Sequence, residues 1–233
     1  MRCGAFWLAV LVACTASCTG IFQRKLPTEA ASYDSRAAGA ELRVGAAERD
    51  ITPAIGGYLA GFTIGRTSTS VASSLKVRAM VLGLGDRRFA IVGIDNLGVM
   101  RDDVDWIKSG MAGFANGDVF LCSSHTHAGA DLIGLWGYYL MTSGRDRDYV
   151  ASVRAAAAEA VAEAWSRAEP ARLVRGQERI AARGLVKNAN RSEVFDRRLD
   201  VLHARSLQGD KPLGTILHFA CHPEVLQIGR AHV

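Results

Sequence analysis

The chain has 233 residues, 49% of them hydrophobic, with 28 Lys and Arg against 23 Asp and Glu for a net charge of +5. That length suits one large domain or two small ones, and the apolar share supports a sizeable core, which excludes an intrinsically disordered chain. The basic residues are scattered and form no block interleaved with aromatics, so nucleic acid is not an expected partner.

The first element, residues 1–18, reads as a targeting segment. Arg2 supplies a positive n-region and Ala5 to Ala13 an apolar stretch too short to span a bilayer. Two lipobox-like runs follow, Leu11-Val12-Ala13-Cys14 and Thr15-Ala16-Ser17-Cys18. Cys18 is favoured, because it leaves a longer apolar stretch upstream and a polar run follows it; Cys14 has the better Leu three residues before it. A plain cleaved secretory signal is the alternative. The expected product is an exported lipoprotein, periplasmic or on the outer membrane, held to the membrane by its lipid anchor, or else secreted. With Cys18 acylated, Cys122 and Cys221 remain in the mature domain. They either oxidise, if close, or serve as small buried hydrophobes.

Gln23 to Gly39 is polar and without clear periodicity, and residues 19–40 read as a tether. The domain begins near Glu41. Val44 to Ile51 is a predicted strand, closed by Thr52-Pro53, and Ile55 to Arg66 a glycine-rich loop. Lys76 to Leu84 and Arg88 to Asp95 are β-branched runs around Gly85-Asp86, the pattern of a hairpin. Asp102 to Met111 reads as a helix with two acids in its first turn, and Asp118 to Cys122 as a short strand. Asp148 to Ala168 is the strongest helix, alanine-rich and stopped before Pro170. Ala171 to Gly176, Leu199 to Arg205 and Leu213 to Cys221 read as strands. The alternation implies an α/β domain, a mixed sheet with flanking helices.

Chemistry concentrates where two strands end. Ser123-Ser124-His125-Thr126-His127 follows the run Val119 to Cys122. In extended backbone, residues two apart point the same way, so His125 and His127 would converge. Neutral imidazole is a zinc ligand, and catalytic zinc takes three protein ligands with one position open; two polar loop histidines are the plainer alternative. His218-Phe219-Ala220-Cys221-His222-Pro223 ends a second strand, with His222 at its mouth as the candidate ligand and His218 expected to be buried or to support a ligand. In Asn188-Ala189-Asn190-Arg191-Ser192 the asparagines suit a turn. Arg191 is either a solvated charge or a fixed donor to a substrate oxygen.

Taken in order, these runs resemble the neutral/alkaline ceramidase family. Ser124-His125-Thr126-His127-Ala128-Gly129 is similar to its Thr-His-Thr-His-Ser-Gly loop, Asn190-Arg191-Ser192 to its Asn-Arg-Ser, and Phe219-Ala220-Cys221-His222-Pro223 to its Phe-Ala-x-His-Pro. Ala47 to Pro53 with Gly56 and Gly57 resembles its opening strand, and Asp131 to Gly137 a form found in shorter bacterial relatives. The resemblance spans roughly Val44 to Gln227.

It implies a mixed α/β fold and a Zn2+-dependent hydrolase that cleaves the N-acyl amide of ceramide-like lipids to a sphingoid base and a fatty acid. It implies His125 and His222 as zinc ligands, His127 as the histidine beside the metal water, and Arg191 as a substrate or oxyanion contact. The family's other two ligands, a Glu and a Tyr, come from beyond these residues. Residues 41–227 therefore read as the N-terminal part of the catalytic domain, incomplete and expected to be inactive alone. Ile228 to Val233 read as a foreign tail, since ATC GGA AGA GCA CAC GTC, a sequencing adapter, encodes them. The alternatives are a zinc amidase or esterase on another envelope substrate, and a lipid-anchored binding protein without catalysis.

Overall fold

Among the described residues, seven strands and two α-helices follow one another in the order the hydrophobic patterns predict, most ends lying within about two residues of those expected. The computed structural model describes residues 40–140, 142–180, 194 and 196–223. The expected signal, all of the tether but its last residue, the Asn188 to Ser192 run with Arg191, and the tail lie outside the described residues. Among the described residues no helix is long and apolar enough to cross a membrane.

The strands are β1 (Leu42–Asp50), β2 (Lys76–Leu84), β3 (Arg87–Ile94), β4 (Val119–Ser123), β5 (Glu169–Arg179), β6 (Arg198–Ser206) and β7 (Pro212–Phe219). The helices are α1 (Arg101–Lys108) and α2 (Arg147–Ser166). The strands form one mixed sheet ordered β4-β3-β2-β1-β5-β6-β7. Neighbours are antiparallel except β3 and β4, which run parallel because the chain crosses over between them through α1. β2 and β3 form the expected hairpin, with Gly85 at φ 63° in its turn.

α2 begins where the Asp146 carboxylate caps it, accepting from the N–H groups of Asp148 and Tyr149. Its buried residues Val150, Val153, Ala157, Ala160, Val161 and Ala164 recur at helical spacing and form one stripe. That stripe covers Val77, Ala79 and Val81 of β2 and Ala90, Val92 and Ile94 of β3 in a single core. The alanines let the helix lie close. A Cβ at Gly45 would collide with the Ala164 carbonyl and stand 2.9 Å from the Ala168 nitrogen, so β1 needs glycine there.

On the other face Val44, Met80, Ala171 and Ala204 make a second, smaller cluster. β5 pairs with β1 through only two residue pairs, and β5 to β7 then turn over this face. A Cβ at Gly214 of β7 would lie 2.8 Å from Met80 Cε and 3.2 Å from Ala46 Cβ, so β7 rests against β1 and β2. The fold over thus returns the end of β7 to the site at the carboxyl end of β4.

Candidate metal centre

β3 and β4 lie side by side and parallel, so the loops that leave their carboxyl ends share one edge, the usual place for a ligand site on parallel strands. The loop after β4 carries His125 and His127, the loop after β3 carries Leu97, and the chain leaving β7 carries His222. His125, His127 and His222 each offer a nitrogen, all within 4.8 Å of one another. His125 Nε2 is 2.9 Å from His222 Nε2 and 3.4 Å from His127 Nε2. Their rings meet edge to face with centroids 4.6 to 5.0 Å apart. His127 is buried, while His125 and His222 are exposed.

His125 and His127 do converge, but not by strand alternation. β4 ends at Ser123, and His125 takes φ 61°, in the left-handed region. For a side chain with a Cβ this costs about 1–2 kcal/mol. The Leu97 carbonyl, 2.7 Å from His125 Nδ1, holds the ring there.

The hydrogen bonds assign the tautomers. A carbonyl only accepts, so His125 Nδ1 donates to Leu97 and His127 Nδ1 donates to the Gly61 carbonyl at 2.8 Å. Both Nε2 atoms therefore turn lone pairs toward the shared space. Lone pairs this close repel unless a cation lies among them. Zinc bonded tetrahedrally to nitrogens at 2.0–2.1 Å would separate them by about 3.3 Å, so the His125 and His222 Nε2 atoms, 2.9 Å apart, would part by about 0.4 Å to hold it. The donor set and its backbone supports fit zinc.

The wall behind His127 comes from Gly61 to Arg66. The Phe62 ring packs on the imidazole with centroids 5.1 Å apart. Arg66 Nη2 donates to the His127 carbonyl at 2.7 Å, and its guanidinium lies 4.7 Å from the Phe62 ring centre. Burial pushes the Arg66 pKa down. A second loop braces the first: Trp136 Nε1 donates to the Phe62 carbonyl, and Gly65 N–H to that of Gly137. That second loop is gathered by Asp131, 1% exposed, whose carboxylate accepts from the N–H groups of Ile133, Gly134, Trp136 and Gly144.

Other expectations fare differently. His218 is not buried and does not support a ligand. Its side chain is 75% exposed and faces Asp200 across β6 and β7, 3.7 Å away, because its register places it on the open face. Cys122 and Cys221 are both free thiols, with Cys122 partly buried and its pKa raised by desolvation, and Cys221 exposed. Arg191 lies outside the described residues. Sequence reasoning gave Arg66 no role and named Asp131 only as the first residue of a run resembling shorter bacterial relatives. The Asp-x-x-Gly-x-x-Gly spacing from Asp131 to Gly137 is the signal that marks an acid collecting backbone donors.

No protein-family profile and no curated protein sequence matches the chain. Its fold does match solved structures. The neutral ceramidase of Pseudomonas aeruginosa superposes with a TM-score of 0.63 and 21% identity, covering 78% of this chain and 32% of that one. A ceramidase complexed with C2 gives a TM-score of 0.62 and 20% identity, covering 78% of this chain and 31% of that one. The chain thus has the fold of part of a neutral ceramidase and spans about a third of the length of these relatives.

Proposed function

We propose that the histidine centre is part of the active site of a zinc-dependent hydrolase that cleaves the N-acyl amide of ceramide-like lipids. The observation that carries this reading is the convergence of His125, His127 and His222 from two strand ends, with two Nδ1 hydrogens already committed to backbone carbonyls. The fold shared with neutral ceramidases supports the substrate class. So do Leu135, Tyr138, Tyr139 and Leu140, large apolar side chains exposed on the loop braced against the centre, surface of the kind that takes hydrocarbon chains.

His125 and His222 would hold the metal. Zinc, when bound, supplies a Lewis acid that polarises an amide carbonyl and makes nearby water more acidic. His127 is buried and oriented, and its Nε2 is the base. It takes the proton as the water oxygen bonds to the carbonyl carbon. It returns that proton to the nitrogen as the C–N bond breaks, leaving a fatty acid and an amine. Arg191 is proposed as the donor to the oxygen that gains charge.

The test is hydrolysis of a fluorescent short-chain ceramide, beside a panel of other acyl amides and esters, by protein expressed from the complete gene. Release of fatty acid that a chelator stops, zinc restores and His127→Ala slows about a hundredfold or more is the expected result. Zinc-dependent turnover of the other amides or esters but not of ceramide would move the substrate elsewhere. Turnover unaffected by chelation and by His127→Ala would overturn the proposal.

A further inference from the structure

We propose that Arg66 is a positioning residue of the histidine centre, holding His127 in the single ring orientation and tautomer that turns Nε2 toward His125 and His222. The proposal rests on reading that centre as a metal site.

One short loop makes three contacts with His127. The Gly61 carbonyl takes its Nδ1 hydrogen at 2.8 Å, the Phe62 ring tilts against the imidazole at 59°, and Arg66 Nη2 holds its carbonyl at 2.7 Å. Arg66 joins the last two, because its guanidinium also lies over Phe62. The loop is closed at its base where the Leu59 N–H donates to the Arg66 carbonyl at 2.9 Å. Backbone and ring of His127 are thus gripped by one arginine, directly and through Phe62. The planar guanidinium suits both tasks, since it stacks on a ring and donates in its own plane.

This arginine is not there for a salt bridge. Among the described residues no carboxylate pairs with it, and its Nε is buried with no hydrogen-bond partner. Burying a guanidinium without a counter-ion is unfavourable. Arg66 is half-buried, and among the described residues its side chain meets the His127 carbonyl and the Phe62 ring, both of which bear on His127. A half-turn of the imidazole about its Cβ–Cγ bond would exchange its two edges and take the Nε2 lone pair away from the centre. Among the described residues His125 has no such arginine; the Leu97 carbonyl and its left-handed backbone fix it instead.

The experiment uses the 233-residue protein without metal, labelled with 15N, and reads the His127 tautomer from long-range imidazole nitrogen–proton correlations. The wild type is expected to show His127 with hydrogen on Nδ1 alone. Arg66→Ala should show both tautomers, and methylguanidinium in the buffer should restore the first. Arg66→Lys should fall between. Arg101→Ala, which removes an exposed guanidinium, should change nothing. Cobalt(II) affinity in Arg66→Ala should stay near that of the wild type, because His125 and His222 hold the metal and His127 acts beside it.

A folded Arg66→Ala protein with a single Nδ1–H tautomer at His127 would overturn the proposal. If Arg66→Ala does not fold, Phe62→Leu removes the ring that carries the grip and leaves the arginine. Tautomer mixing is then expected, and an unchanged His127 spectrum would overturn the proposal equally. Loss of cobalt binding in every protein, with the tautomers behaving as expected, would count against the metal reading and not against the role of Arg66.

Discussion

Asp131→Asn isolates the carboxylate that organises the loop behind the histidine centre. The change is isosteric, so packing is kept while one acceptor oxygen becomes an NH2. Oδ1 accepts from Ile133 N at 3.1 Å and Gly134 N at 2.7 Å; Oδ2 accepts from Trp136 N at 2.9 Å and Gly144 N at 3.2 Å. Whichever way the amide turns, two N–H groups face another donor. Each buried donor left unsatisfied costs about 1–3 kcal/mol, and the two retained bonds lose their charge assistance. Water entering the loosened loop offsets part of this, so a loss of about 3–4 kcal/mol is expected, out of roughly 5–15 kcal/mol for a domain. For a domain of this size that lowers Tm by about 10 °C. The assay is urea unfolding followed by far-UV circular dichroism and by tryptophan fluorescence, since Trp136 lies in the loop. If the loop opens before the sheet, fluorescence changes at lower urea than circular dichroism. A loss under about 1 kcal/mol with coincident transitions would refute the reasoning.

Gly61→Ala should slow turnover, because Gly61 has φ 100° and a Cβ there would lie 2.6 Å from His127 Cγ, so the ring must move; unchanged turnover in a folded variant would contradict this. Maleimide labelling read by peptide mass should modify Cys221 quickly and Cys122 slowly, because Cys221 is exposed and burial raises the Cys122 pKa; equal rates would contradict the packing of β4. Asp210, hydrogen-bonded by Arg205 and then Arg172, has its pKa lowered from 3.8 to about 2. A depressed carboxylate stabilises above its unfolded pKa and loses that as pH falls through the folded value. The stability gap between wild type and Asp210→Asn should therefore be full above about pH 5, shrink from about pH 4 and vanish near pH 2. A gap that persists or grows on acidification would contradict the pairing.

Strands and helices were legible in the sequence because their signals are local: alternation in β1 and β2, β-branched runs in β3 and β4, helical spacing of apolar residues in α2. The order of the sheet was not. β5 returns to pair with β1 across α2, and β7 turns over the back of β1 and β2; both depend on contacts far apart in the chain. His125, His127 and His222 were legible as strand-end histidines, yet the convergence of His125 depends on a positive φ that no pattern encodes. His218 was misplaced because alternation tells which face a residue shares but not which face is covered. The roles of Arg66 and Asp131 escaped notice because each acts through a neighbouring loop, one on His127 and the other on the backbone that braces Phe62.

Zinc binding by the histidine centre is the claim on which the rest depends. The direct measurement is a competition titration of zinc against a chromophoric chelator, on the wild type and on the His125→Ala, His222→Ala double variant, each checked for folding by circular dichroism. One zinc per chain is predicted for the wild type, with affinity falling about a hundredfold or more when ligands are removed. A folded double variant that binds zinc as tightly as the wild type would contradict the account.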